Sequence, residues 1–202
     1  MNYPTIFVLR HGETEWNAES RWQGVLDSPL TERGRDHARS QRDILGGLEL
    51  GGASVRVSPQ GRAMATAEIV LGRSVEPYEI DDRLREIDVG DWTGRKRQEL
   101  VAAPGPVLED TPDGELSLYE YAPNGEGFAA LRVRCEAFLA ELTGPTICIT
   151  HGITSRMLRI RALARPAREL GGLPGGQGVV HVVDKRVHRT LPEGLAEGAA
   201  PF

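Results

Sequence analysis

The chain reads as an α/β protein, and three stretches carry that reading. The run Ile6 to Leu9 has the β-branched and aromatic content of a buried strand and stops abruptly at Arg10-His11-Gly12. Thr146 to Thr150 has the same character and delivers His151-Gly152, with a helix expected from Ile153 to Leu163. Between them Val55-Arg56-Val57 ends at Ser58-Pro59, and a helix with Ala63, Ala67, Val70 and Leu71 on one face follows. In parallel α/β sheets, ligands bind in the crevice outside the carboxyl ends of the strands. If the first strand and the 146–150 strand are neighbours, two imidazoles reach one crevice.

In chain order, Gly12 lets the backbone turn sharply and approach a ligand, while Arg10 offers a planar fork of donors suited to phosphate or carboxylate. An anion site with a nucleophilic histidine is one reading; a solvated strand end is the other. Ala18 to Asp27 is polar, carries Arg21, Trp22, Gln23 and Gly24, and reads as a loop able to fold back over the strand end. Thr31 is placed to cap a helix from Glu32 to about Leu45, with Ala38, Gln41 and Leu45 along one side and Gly46-Gly47 as its stop. His37, among Arg33, Asp36 and Arg39, reads as a solvated surface histidine.

Arg62 falls in the first turn of the helix after Ser58-Pro59, beside free backbone N–H groups that would favour a phosphate; a solvated arginine is the alternative. Val75 to Ile80, broken by Pro77, predicts an edge strand. From Leu84 to Gly94 acidic and apolar residues alternate without helical period. Glu86 is a candidate partly buried carboxylate able to donate a proton, and Asp88 and Asp91 are either the acid or turn residues. Arg95 to Gly127 carries Pro104, Pro106, Pro112 and Pro123, so beyond a short helix around Lys96 to Val101 no packed core element is expected. It reads as a lid-like insertion at about 95–127, or as a surface loop.

Phe128, Leu131, Cys135, Phe138, Leu139 and Leu142 predict an amphipathic helix that Gly144-Pro145 ends. Gly178 to Asp184 and Val187 to Leu191 predict a hairpin through Lys185-Arg186, with His181 pointing outward and His188 unremarkable. Residues 192–202, rich in Gly, Ala and Glu, predict a disordered tail, so residues 1–191 form a single domain.

Composition bounds the function. With 202 residues, 40% hydrophobic and 26% charged, and a net charge of -5, the chain is an ordinary globular protein with no nucleic-acid signature. No signal peptide or membrane-length apolar run is present, which makes a cytoplasmic location the default expectation and a membrane partner unexpected. Cys135 and Cys148, each flanked by apolar residues, read as packing thiols rather than a disulfide or zinc site.

Arg10, His11, Arg62, Glu86 and His151 together offer guanidiniums, imidazoles and a carboxyl group, the set phosphoryl transfer needs. Guanidiniums bind the non-bridging oxygens, an imidazole attacks, and a carboxyl group protonates the leaving oxygen. The cations supply the electrostatics, so neither a metal nor a cofactor is expected. Leu9 to Thr14 with Asn17 resembles the signature of the histidine phosphatase superfamily, the phosphoglycerate mutase-like family. Arg21 to Gly24, Asp27 to Gly34, Ser58-Pro59 with Arg62 and Thr66-Ala67, Leu84 to Glu86 with Gly90 to Gly94, and Thr150 to Gly152 continue the resemblance in order, from residue 5 to about 183.

That resemblance implies a three-layer α/β/α sandwich around a mostly parallel sheet and a two-step reaction through phosphohistidine. His11 would be the nucleophile, Arg10, Arg62 and His151 the phosphate pocket, and Glu86 the proton donor and then the base. Asn17 and Gln23, with Gly24 and Gly152, would contact the phosphate or shape its entrance. Mutases of the family resemble one another in a Glu-Arg-His-Tyr-Gly run after the acid and a Thr where this chain has Gln23. Here Ile87 to Gly90 follow Glu86, which favours a phosphatase acting on a small phosphorylated metabolite. Gln60 also departs from the family, standing where Leu or another apolar residue is frequent. Mutase-type transfer and a non-catalytic phosphoester-binding regulatory module are the alternatives. The 95–127 segment is expected to select the substrate, and the 75–80 edge or the final hairpin is available for a homodimer.

Overall fold

Along β1 (Ile6–Arg10), Ile6 and Val8 face one hydrophobic core and Phe7 and Leu9 face another, because side chains alternate across a strand. The computed structural model describes residues 3–72, 78–101 and 114–192. Strands β1, β2 (Ser54–Val57), β3 (Glu79–Ile80), β4 (Thr146–Thr150), β5 (Val180–Asp184) and β6 (Val187–Leu191) form one sheet in the order β3-β2-β4-β1-β5-β6. The β2–β3, β2–β4 and β1–β4 pairs are parallel, whereas β5 and β6 run antiparallel to their neighbours.

The helices are α1 (Glu15–Ala18), α2 (Glu32–Gly46), α3 (Gly61–Leu71), α4 (Arg97–Val101), α5 (Gly114–Tyr121), α6 (Gly127–Ala140) and α7 (Gly152–Ala162). Ala38, Ile44, Ala63 and Val70 of α2 and α3 cover the Phe7/Leu9 face, while Leu131, Phe138, Met157 and Leu158 of α6 and α7 cover the Ile6/Val8 face. Each of the larger of these side chains removed from water stabilises the fold by roughly 2 kcal/mol, the alanines by less. The result is the expected three-layer sandwich. Cys135 and Cys148 are buried packing thiols, and burial pushes both upward, Cys135 to about 12.

Several expectations hold in detail. Thr31 caps α2, its side chain accepting from Gly34 N–H at 3.0 Å, and Lys185-Arg186 turn the β5–β6 hairpin with positive φ at both residues. Strand β3 lies at the sheet edge and begins after Tyr78, which is not in the strand; residues 75–77 of the predicted 75–80 strand, residues 102–113 of the insertion, and the tail after residue 192 lie outside the described residues. No helix among the described residues is long and apolar enough to cross a membrane.

Other expectations require correction. The 95–127 segment does hold a packed element: on α5 Leu118 is buried in the core, Ala122 just beyond the helix joins it, and Tyr119 stacks on Trp22 with ring centroids 4.2 Å apart. His37 is half-buried on α2 and accepts from Glu13 N–H at 3.4 Å, because the loop after β1 packs over that helix. His181 does not point outward but is 1% exposed, since β5 lies between β1 and β6 with helices over both faces and has no solvent side. Its ring is 5.4 Å from His188, whose Nε2 accepts from the buried Arg159 at 3.2 Å.

Candidate active site

Register brings the strand ends together. In the β1–β4 pair Arg10 lies opposite Thr150, and Val57 of β2 lies opposite Ile149, so the residues that follow, His11, His151 and Ser58, leave the sheet side by side. The ladder continues one step past β1, with His11 N–H donating to Thr150 O at 2.9 Å. The rings of His11 and His151 are 5.2 Å apart, both buried.

A hydrogen bond fixes the tautomer of His11. His11 Nδ1 is 2.7 Å from Gly12 O, and since a carbonyl only accepts, Nδ1 carries the proton and Nε2 presents its lone pair. Ser58 Oγ accepts from Gln60 N–H at 3.3 Å and is 2.7 Å from His151 Nε2. The hydroxyl can donate to Nε2 or accept from it, so this contact suits either tautomer of His151. Burial, then Arg62 and Arg10, push the His11 imidazole well below its ordinary 6.5. Burial and Arg62, followed by His11 and Arg10, do the same to His151.

Arg62 stands in the first turn of α3, but the helix N–H groups beside it are not free for a ligand. The Asp27 carboxylate accepts from Gly61 N–H at 2.8 Å and Arg62 N–H at 3.2 Å, as an anion at a helix N-terminus does. It also pairs with Arg62 Nη1 at 2.7 Å. Leu26 O takes a further Nη1 bond and Gly24 O accepts from Nη2 at 3.0 Å, which holds the guanidinium rigidly. Gly24, at φ 50°, is thus a carbonyl that orients Arg62, and a Cβ there would meet Val89 Cγ2 at 2.7 Å. Arg62 Nε, Arg10 Nε and His151 Nδ1 are all buried without a hydrogen-bond partner. Buried polar atoms of this kind are costly without a partner, and all three belong to residues that neighbour the His11 ring or act on its charge.

The carboxylate completes the ring. Glu86 Oε1 accepts from Ile87 N–H at 3.0 Å and Thr154 N–H at 3.1 Å, with Thr154 Oγ1 also 3.1 Å away, while Oε2 accepts only from Ile153 N–H at 3.2 Å. Oε2 is therefore the less engaged of the two oxygens. A Cβ on Gly152 would lie 3.5 Å from Arg10 Nε and 3.6 Å from Glu86 Oε2, so both side chains converge on that glycine. Asp88 and Asp91 face elsewhere: Asp88 accepts from Gly90 N–H at 2.8 Å and Asp91 from Asn124 at 3.1 Å.

Asn17 and Gln23 form a further layer. Asn17 Oδ1 accepts from Thr14 N–H at 3.2 Å and Gln177 Nε2 at 3.3 Å, leaving its amide NH2 for a ligand. Gln23 is tied to Thr14 at 2.8 Å and Ser28 at 3.3 Å, so it shapes the loop from behind. Gly12 answers a different demand from the one expected: a Cβ there would meet Gly34 O at 2.0 Å, so what needs the glycine is the close approach of α2. Asp27, Ser58, Gln60, Thr154 and Gln177 went unassigned from sequence. Gln177 donates to His11 O at 3.0 Å from a loop with no periodic signal.

Comparison with known proteins follows the same lines. The family model described as histidine phosphatase superfamily (branch 1) matches residues 6–191. The protein named "Probable phosphoglycerate mutase GpmB" of Enterobacter sp. (strain 638) is 33% identical over 171 residues, covering 80% of this chain and 76% of its own. Among solved structures, Bacillus stearothermophilus YhfR superposes with a TM-score of 0.74 at 34% identity, covering 95% of this chain and 96% of that one. The mycobacterial glucosyl-3-phosphoglycerate phosphatase Rv2419c, in complex with VO3, gives a TM-score of 0.72 at 27% identity, covering 94% and 98%. With the sandwich, the paired strand-end histidines and these matches agreeing, the chain belongs to the histidine phosphatase superfamily and is a phosphatase of its branch 1.

Proposed function

We propose that the chain is a metal-independent phosphomonoesterase that hydrolyses a small phosphorylated metabolite through a phosphohistidine on His11. The observation that carries this reading is the pair of buried, unpartnered guanidinium donors, Arg10 Nε and Arg62 Nε, with the unpartnered His151 Nδ1, around an imidazole whose Nε2 lone pair is free. A tetrahedral dianion matches them. His11 Nε2 attacks phosphorus, the P–O bond to the alcohol breaks, and Glu86 Oε2 gives the departing oxygen its proton. Glu86, now a carboxylate, takes a proton from water as that water attacks phosphorus, breaking the P–N bond and releasing orthophosphate. The guanidiniums stabilise the charge on the non-bridging oxygens in both steps, the work a metal ion does in other phosphatases.

Substrate choice belongs to the 95–127 segment. Tyr119 of α5 stacks on Trp22 in the loop that holds Arg62, and burial, reinforced by the charge of Glu86, pushes its phenol up to about 12. The test is turnover of p-nitrophenyl phosphate without added metal, with trapping of an acid-labile phosphoenzyme. His11→Ala abolishes both; retention of more than trace activity, or failure to trap the phosphoenzyme, overturns the assignment. No turnover by the unaltered chain between about pH 5 and 8, where imidazole changes charge, favours a phosphoester-binding module instead. A mutase-type transfer is the second reading, favoured by the mutase-named relative. It requires the phosphoryl group to pass to added phosphoglycerate faster than to water.

A further inference from the structure

We propose that Gln60 is a positioning residue that locks the proton donor to the phosphate clamp, an inference that rests on the phosphatase reading above. Gln60 occupies the N-cap position of α3, yet its side chain makes no cap bond. Asp27 has taken that task, which frees the amide to bridge two chain segments. Its Oε1 accepts from the backbone N–H of Glu86 at 2.6 Å, and its Nε2 donates to Gly24 O at 2.8 Å. Gly24 O is the same oxygen that accepts from Arg62 Nη2. The backbone N–H of Gln60, in turn, donates to Ser58 Oγ, which is bonded to His151.

One buried side chain therefore spans the peptide that carries the acid and the loop that aims a phosphate-binding guanidinium, while its main chain braces the second histidine. An apolar residue of the same size would fill the space and join nothing. Without Gln60, the Glu86 N–H and one lone pair of Gly24 O lose their partner, and the distance from Glu86 Oε2 to the leaving oxygen is no longer fixed against the phosphate. Misplacement of a reacting group by an ångström costs up to about 100-fold. The loss falls on the step that needs the proton. A p-nitrophenolate leaves without help from an acid, whereas an alkoxide does not.

The experiment compares kcat and KM of the unaltered chain, Gln60→Leu and Gln60→Glu on p-nitrophenyl phosphate and on glycerol 2-phosphate. Gln60→Leu is expected to lower kcat/KM, which reads the phosphoryl transfer to His11, on glycerol 2-phosphate by about 10-fold or more and on p-nitrophenyl phosphate by about threefold or less; the hydrolysis step that also uses Glu86 is common to both esters. Gln60→Glu adds a pH signature. The neutral carboxylic acid can donate to Gly24 O and accept from Glu86 N–H, so it restores alkyl-ester turnover at low pH. Ionisation removes the donor and sets a charge beside Glu86 and Asp27, with Arg62 and His151 the cationic and titratable neighbours that oppose it. Its alkyl-ester activity, relative to the unaltered chain, then falls as pH rises. Equal losses of kcat/KM on both esters, or a Gln60→Glu profile parallel to that of the unaltered chain, would overturn the positioning role. If Gln60→Leu fails to fold, as judged by circular dichroism, the Gln60→Glu profile decides alone. Absence of turnover in the unaltered chain on either ester is a separate result, which overturns the phosphatase reading and this inference with it.

Discussion

Asp27 holds Arg62 from two directions, accepting from its backbone N–H at 3.2 Å and from its guanidinium at 2.7 Å. The carboxylate is both the cap of α3 and the counter-charge of the buried cation, and its own side chain remains 38% exposed. Replacement by alanine removes charge-assisted hydrogen bonds worth about 1.5–3 kcal/mol. In Asp27→Ala we expect the KM for phosphoesters and the inhibition constant of orthophosphate to rise about 10-fold, with kcat within about threefold of the starting value. Steady-state kinetics with orthophosphate as inhibitor checks this; an unchanged inhibition constant counts against Arg62 as a clamp aimed by Asp27.

With His11 as the proposed nucleophile, its protonation sets the acid limb of activity. Burial, then the charges of Arg62 and Arg10, hold the His11 imidazole well below 6.5, and protonation removes the lone pair that attacks. Activity is therefore present above that lowered value and lost as pH falls through it. A profile of kcat/KM against pH should stay level through 6.5 and decline only further into acid. A half-maximal point at 6.5 would place an ordinary, solvated imidazole in the rate-determining role.

Acid should also weaken the fold itself. His181 is lowered to about 3 and His188 to about 4, burial being the first cause and Arg159 the next in both. Because the folded values lie below the unfolded one, their contribution is complete above about 6.5 and is lost as pH falls from there through the folded values. Urea titrations at about pH 7 and 4.5 should show a loss on the order of a few kcal/mol, shared with the other buried histidines. His181→Gln, which keeps an amide for Thr190 and takes up no proton, should flatten that dependence. An unchanged pH slope in the variant would assign the acid sensitivity to other groups.

Two glycines interlock the nucleophile loop with α2. A Cβ on Gly12 would meet Gly34 O at 2.0 Å, and a Cβ on Gly34 would meet Glu13 O at 2.0 Å. Both obstacles are backbone, so neither can be relieved by a rotamer change. Gly12→Ala and Gly34→Ala should each destabilise by at least about 2 kcal/mol, lowering Tm by roughly 4–8 °C. Calorimetry decides; a shift of under a degree would show that the loop moves away freely.

Much of this site was legible before any coordinates. The two His-Gly strand ends could be seen because an apolar run that stops at an imidazole is a local pattern, and Leu84-Arg85-Glu86 stood out for its lack of period. The supports were not legible. Asp27 reaches Arg62 across 35 residues and Gln60 reaches Glu86 across 26, and no spacing rule announces bonds of that range. Helix α5 was hidden by flanking prolines and glycines, although Leu118 and Ala122 keep the four-residue spacing of a buried face. His181 misled because alternation with valine reads as a half-exposed strand, and whether a strand has an exposed side depends on its neighbours.

The central place of β1 bears on how the enzyme comes into being. Its partners are residues 146–150 on one side and 181–183 on the other, so the strand that aims the nucleophile has no sheet to join when it leaves the ribosome. At about 5–20 residues per second, roughly 10–35 seconds of synthesis separate residue 10 from residue 184. During that interval Ile6, Phe7, Val8 and Leu9 are an unpaired apolar segment and His11 has neither His151 nor Arg62 in place. The site is thus assembled only after β4 and β5 have been synthesised, and until then β1 has no partner strand to cover its backbone edges.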